Sequence, residues 1–279
     1  RWVPTLSARF IPDADVVVAT AWNTAEWVAD YPKTKGRKFY FIQHYEVWDA
    51  PAARVDATWK LPMRKIVIAR WLERIAQDLG ESAIYVPNAI DHQKFHVVID
   101  PAKRESAKLA MLYHNQSWKG TEDGLRAIEI LKAKKPELQV TLFGVPKRPR
   151  SLPPWIEYHC NPEQNELRQL YNEASLFLAP SHSEGWGLPA LEAMACGAAV
   201  VATDNAGHLE FAVDGENALL VKPRDTEAMT RALVRLMDDK SLRLSLAIAG
   251  TETAKNFTWE RSVRRFEEAL FELDAGEIS

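Results

Sequence analysis

Short apolar runs rich in β-branched residues recur along this chain, and each is followed by a stretch with helical spacing. In the first part, residues 15–20, 38–43, 65–69 and 84–87 read as strands, with helix-like 24–30 and 70–79 among them and Gly80 as a stop signal. Apolar strands that alternate with helices need cover on both faces, which means a parallel sheet sandwiched between helices. The segment 87–103 carries prolines and charge with no sustained period, and the alternation then restarts. Strands are expected at 107–112, 139–143, 156–160, 175–180, 198–203 and 218–221, with helices at 121–134, 163–174, 189–196 and in the tail from 226. The expected fold class is α/β, with two doubly wound domains built on parallel sheets.

Length and composition agree with that reading. A chain of 279 residues is long enough for two domains, and 47% hydrophobic with 26% charged residues excludes disorder and fibrous repeats. Lys plus Arg is 35 and Asp plus Glu is 38, a net charge of −3 that offers no field for a polyanion, so no nucleic-acid partner is expected. Cys160 and Cys196 are too few for a disulfide framework and suit a reducing compartment. The longest weakly polar stretch, 185–203, is interrupted by Pro189, Glu192 and Gly197, whereas a membrane-spanning helix needs about 20 apolar residues in a row. The chain opens on Arg1-Trp2-Val3-Pro4, which is neither Met nor a signal peptide, so a mature or partial chain is expected.

The most informative stretch runs from Ser181 to Gly197. A strand is expected to end at Pro180, a loop with two glycines follows, and a helix starts near Pro189 and stops at Gly197. Ligands of open α/β sheets bind at the carboxyl ends of strands, and a helix start offers unpaired N–H groups to an anion. Two carboxylates flank this place, Glu184 in the loop and Glu192 in the helix. A carboxylate can accept two hydroxyl hydrogen bonds, as a sugar or ribose diol requires. From spacing alone, Glu192 reads equally as a complement to the helix dipole and Glu184 as a solvated loop charge.

The stretch resembles the Glu-x7-Glu motif of family-4 retaining glycosyltransferases, glycosyltransferase group 1, which have the GT-B fold. Glu184-Gly185-Trp186-Gly187-Leu188-Pro189 matches the motif core. The similarity continues through Glu192-Ala193-Met194-Ala195-Cys196-Gly197, Val200-Val201-Ala202-Thr203, Gly207, Glu210 and Asp214 to Val221. The resemblance implies two Rossmann-like domains, the N-terminal one lacking its opening strands. The boundaries expected are 1–92 for a partial acceptor-side domain, 93–106 for a linker, 107–257 for the nucleotide-sugar domain, and 258–279 for a terminal helix packing back toward the first domain.

It also implies a hexosyl transfer with retention, from a nucleoside-diphosphate sugar to the hydroxyl of a glycan or lipid-linked acceptor, in bacterial polysaccharide or glycan biosynthesis. No cofactor and no metal are expected, and the setting implied is cytoplasmic, with membrane contact at most peripheral at the inner face. Glu184, Lys119 of Trp118-Lys119-Gly120, and His44 are the catalytic candidates. Glu192, Gly185, Trp186, Gly187, Leu188, His114, Gly144 and His159 are the nucleotide-sugar-binding candidates. His114 and Tyr113 stand where the family usually has an arginine, which leaves phosphate charge to His114 as a donor or to Lys147, Arg148 or Arg150. Trp186, between the motif glycines, is the aromatic expected to face a sugar. Two alternatives remain at this stage: a non-catalytic nucleotide-sugar-binding fragment, and a GT-B relative such as an epimerase.

Overall fold

The computed structural model describes residues 5–48 and 50–271. Among the described residues the chain forms two compact units, one within residues 1–88 and 260–279 and the other within residues 89–259.

In the first unit, β1 (Val16–Ala19), β2 (Arg37–Ile42), β3 (Arg64–Val67) and β4 (Ala83–Tyr85) form a parallel sheet in the order β1-β2-β3-β4. Helices α1 (Trp22–Ala29), α2 (Ala52–Trp59) and α3 (Arg70–Asp78) connect them. The α2 segment carries no clear helical period in the sequence, yet Val55 and Trp59 are fully buried. Helix α9 (Trp259–Phe271) joins this unit. Its Phe266 ring meets Phe41 edge-on at 5.4 Å, Ala269 enters the core with Phe39 and Ile66, and Ser262 Oγ donates to the Pro87 carbonyl at 2.7 Å. The expected terminal helix therefore exists up to Phe271, and residues 272–279 lie outside the described residues.

The second unit holds a six-stranded sheet of β5 (Lys108–Leu112), β6 (Gln139–Gly144), β7 (Ile156–Cys160), β8 (Leu176–Ala179), β9 (Ala199–Thr203) and β10 (Leu219–Val221). Every pairing is parallel, and the order is β10-β9-β8-β5-β6-β7. The chain builds outward from β5 to β7 on one side, then returns to lay β8 beside β5 and continues the other way. The order thus reverses between β5 and β8, which opens a crevice at the carboxyl ends of those two strands. Helices α4 (Thr121–Lys134) and α7 (Thr226–Asp238) pack together, as do α6 (Leu188–Ala195) and α8 (Lys240–Ala254), while α5 (Gln164–Glu173) precedes β8. The core between them is aliphatic, with Leu109, Met111, Ile128, Leu131, Leu142, Leu178 and Val201 all at 2% exposure or less.

The segment expected as a linker, 93–106, is instead packed into the second unit. Arg104 is the reason. Its guanidinium is buried and donates to the carbonyls of Ile99, Tyr171, Ala174 and Cys196, closing the open ends of several elements at once. Burial pushes this guanidinium down to about 10, with Cys196 and Asp100 opposing. Among the described residues no helix is long and apolar enough to cross a membrane.

Replacing Arg104 by Met strands these carbonyls without a donor. The expected loss is about 3 kcal/mol of unfolding free energy, read from a urea titration; a loss below about 1 kcal/mol would show the guanidinium is dispensable.

Candidate functional site

The loops after β5 and β8 face each other at the strand-order reversal, and three contacts clasp them. His182 N–H donates to the Trp118 carbonyl at 2.7 Å. Gly120 sits at φ 64°, where a Cβ would fall 2.1 Å from the Pro180 carbonyl oxygen, so only glycine lets the first loop approach the second so closely. His182 Nε2 also lies 2.6 Å from Asp123 Oδ2 on α4. The clasp delivers Lys119 Nζ to Glu184, at 2.9 and 2.8 Å from its two carboxylate oxygens. Ser181 Oγ donates to Glu184 Oε1 at 2.8 Å, which holds the carboxylate from its other side.

Helix α6 begins immediately beyond. Gly187 is its N-cap at φ 103°, a left-handed conformation that a side chain would strain. A Cβ there would also lie 2.4 Å from the His208 ring. Pro189 in the first turn has no N–H to leave unpaired, so the free donors at this end are few and directed. Lys119, Ser181, Glu184, Gly187, Pro189 and His208 line a cavity of about 20 Å³ at this point.

Glu192 stands one turn inside α6, where its Oε2 accepts from the Tyr171 hydroxyl at 3.0 Å. Burial pushes the Glu192 carboxyl up to about 7, and the Tyr171 hydrogen bond only partly offsets this. Burial, helped by the Glu192 charge, also holds the Tyr171 phenol well above its ordinary value. Helix-dipole complementarity alone does not explain so deep a carboxyl, because a charge serving the dipole gains nothing from losing its water.

His114 follows β5. Its Nδ1 accepts from the Gln116 N–H at 3.0 Å, so the ring proton of the neutral form sits on Nε2 as a donor. Burial and the Lys119 charge lower its affinity for a second proton, with Glu184 opposing. It supplies a hydrogen bond and no charge. Arg148 is engaged with the carbonyls of Ile156, Leu152 and Pro153, so it braces its own loop.

Two expected ligand residues are corrected. Trp186 is 2% exposed and packs edge-on against Phe257 at 5.3 Å and beside Phe211 at 6.3 Å; it fills the core behind the loop and presents no face to a sugar. His159 is tied at both ring nitrogens, Nδ1 to Glu166 at 2.7 Å and Nε2 to Glu157 at 3.1 Å, on the edge strand β7. Gly144 ends β6, and its carbonyl accepts from Asn161 N–H at 2.6 Å. Gly185 lies in the loop before α6, and Leu188 is that helix's first residue. His44 belongs to the first unit, at the carboxyl end of β2, with the Trp48 and Trp71 rings edge-on at 4.9 and 5.4 Å.

Ser181, Tyr171 and His208 belong to the site and were not singled out from the sequence. Ser181 could have been found three residues before Glu184. Tyr171 lies 21 residues from its partner and carries no local signal.

Comparison with known proteins bears on the family and the fold. Residues 109–239 match the family described as Glycosyl transferases group 1. A D-inositol 3-phosphate glycosyltransferase of Salinispora tropica is 38% identical over 122 residues, 44% of this chain and 24% of that protein. An O-antigen chain mannosyltransferase B of Escherichia coli is 37% identical over 106 residues, 38% of this chain and 27% of that protein. The chain thus matches only about a quarter of the length of each of these relatives.

Among solved structures, Anabaena HepE in complex with UDP superposes with a TM-score of 0.81 at 15% identity, over 95% of this chain and 81% of that one. Sucrose-phosphate synthase from Thermosynechococcus elongatus gives 0.77 at 19% identity, over 91% and 72%. At these identities the likeness is one of fold, two parallel-sheet α/β units of the GT-B type. The second unit of this chain carries a glycosyl transferases group 1 domain.

The Glu192 carboxyl gives a pH test. Its pKa is about 7 when folded and about 4.3 when unfolded, so the folded state holds the proton more tightly. Its contribution to stability is therefore fully present below the unfolded value and is lost as pH rises through the folded one. Thermal melts of Glu192→Gln and the native chain should show the variant gaining relative to the native chain from about pH 5 to about pH 8. A Tm difference independent of pH would show that this carboxyl does not titrate there.

Proposed function

We propose that this chain acts in a retaining glycosyltransferase, moving a hexosyl group from a nucleoside-diphosphate sugar to an acceptor hydroxyl. The observation that supports this most is the Lys119–Glu184 pair held beside the start of α6 at the strand-order reversal. In breaking the glycosidic bond, negative charge develops on the leaving diphosphate. Lys119 and the backbone amides near Gly187 and Leu188 stabilise that charge, and because they are already in place they need not reorganise as it forms. Glu184 divides its two oxygens between Lys119 and a donor-sugar hydroxyl. Glu192, once ionised, accepts from the ribose diol, and His114 Nε2–H adds a neutral donor. Retention follows if the leaving phosphate oxygen takes the acceptor proton on the same face, a route that needs no protein nucleophile and no metal.

The solved neighbours support a nucleotide-sugar donor, since HepE binds UDP and UDP-glucose by the description of its structures. The relatives that act on an inositol phosphate and on an O-antigen chain support a hydroxyl acceptor on a glycan or lipid-linked carrier, in bacterial polysaccharide or glycan assembly. His44 is assigned to the acceptor side. The setting is the cytoplasm, with peripheral contact at the inner face of the membrane as the most intimate association.

Melting the full chain with UDP, GDP, dTDP and their common sugar conjugates, beside Glu192→Ala, tests donor binding. A ligand at 100 times its Kd adds about 2.7 kcal/mol, and one nucleotide should shift the native chain and not the variant. No shift with any of them would overturn the donor assignment. In a transfer assay with the bound donor, Lys119→Ala should lower turnover by at least about a hundredfold, roughly 3 kcal/mol of barrier. Turnover near that of the native chain would refute the role of Lys119.

A further inference from the structure

His208 is 1% exposed, borders the Lys119–Glu184 cavity, and has no part in the scheme above. Its protonation follows from its neighbours. Nδ1 lies 2.9 Å from the Thr203 carbonyl oxygen, which can only accept, so Nδ1 carries the proton. The Asn205 amide nitrogen is also near, at 3.0 Å, but its two N–H groups are taken by the Ser181 carbonyl and Thr203 Oγ1, each at 3.0 Å. Nε2 is therefore a bare lone pair, with no hydrogen-bond partner among the described residues. The ring edge that carries it lies against Gly187, 2.9 Å from the position a Cβ would take there. Burial keeps this imidazole below its ordinary range, with Lys119 helping and with Glu184 and the Thr203 carbonyl opposing.

A neutral lone pair repels phosphate oxygens and accepts from O–H or N–H. A cavity of about 20 Å³ has room for a group the size of one hydroxyl. The place thus offers two acceptors, the Glu184 carboxylate and His208 Nε2, against a single cation.

We infer that His208 is a specificity-determining residue whose Nε2 accepts a hydrogen bond from one free hydroxyl of the donor sugar, so that sugars deoxygenated or acylated at that carbon are discriminated against. This rests on the nucleotide-sugar reading of the same site.

The test compares diphosphate with sugar conjugate. Titration calorimetry on the full chain uses UDP with UDP-glucose, GDP with GDP-mannose and dTDP with dTDP-glucose, on the native chain, His208→Asn and His208→Gln. Asparagine keeps an amide donor near Thr203 and deletes the distal acceptor; glutamine reaches far enough to restore one. For the nucleotide that binds, His208→Asn should hold the diphosphate within about twofold and the sugar conjugate about tenfold more weakly, the worth of one hydrogen bond. His208→Gln should recover to within about threefold of the native chain.

Equal losses for diphosphate and conjugate, or no loss for either, overturn the assignment. A nucleotide-sugar series lacking one hydroxyl at a time, titrated into the native chain, stands even if His208→Asn fails to fold. One member should lose about tenfold, and a flat series overturns the inference. If no nucleotide binds the native chain, the parent reading falls and takes this one with it. If Glu192→Ala abolishes binding while His208→Asn leaves it unchanged, only the role of His208 falls.

Discussion

The parallel pairing of β5 with β8 is the constraint on which the second unit depends. These strands lie far apart in sequence, and β6, β7 and their helices must be laid down before β8 can return to β5. Once the pair forms, the loops that leave it diverge to opposite sides, one toward α4 and the other toward α6. The crevice between them is a product of topology and needs no dedicated insertion. Gly120 against Pro180, and His182 against Trp118, then convert two diverging loops into one wall. Each feature of the candidate site uses that wall. Lys119 comes from one loop, Glu184 and Ser181 from the other, and α6 starts where the second loop ends.

Electrostatically the site is close to neutral before a ligand arrives. Lys119 is matched by Glu184, Glu192 is held near the midpoint of its titration, and His114 and His208 are kept from charging by burial. Under the proposed function, attraction for a diphosphate falls to the backbone amides and to a lysine whose partner can share it. Such an arrangement favours a ligand with both anionic and hydroxyl groups over a bare polyanion, consistent with the weak net charge of −3. Glu192 is the costly member. A carboxyl in a poorly solvated place is tolerated because Tyr171 supplies a hydrogen bond and protonation relieves the rest.

The strands were legible because buried parallel strands are apolar throughout, as in Val16-Val17-Val18-Ala19 and Leu176-Phe177-Leu178-Ala179. Helix α4 was legible from its period and α6 from Pro189 and Gly197. Helix α2 was not, because its apolar residues at 53, 55, 57 and 59 alternate with polar ones as in a strand, and burial of Val55 and Trp59 decides it. In the site, Glu184 and Glu192 stood out by their likeness to the Glu-x7-Glu motif and Lys119 by the turn it makes with Gly120, whereas spacing alone left the two carboxylates equally a solvated loop charge and a complement to the helix dipole. Trp186 and His159 were misread for one common reason. A tryptophan between glycines and a histidine near the end of a strand look alike in sequence whether they face a ligand or a neighbour. Phe211 and Phe257 claim the first, and Glu157 and Glu166 the second.

By itself, then, the sequence determined the alternation of strand and helix, the position of the glycine-bounded helix α6 and the places of Glu184 before it and Glu192 within it, since each is encoded in residues close along the chain. Tertiary structure alone decided that Lys119 meets Glu184 across 65 residues, that Tyr171 reaches Glu192, and that His208 turns its unprotonated nitrogen toward the same cavity. The physical reason is that hydrogen bonding and desolvation depend on neighbours in space, and here those neighbours are supplied by strands that the chain reaches only after crossing the sheet.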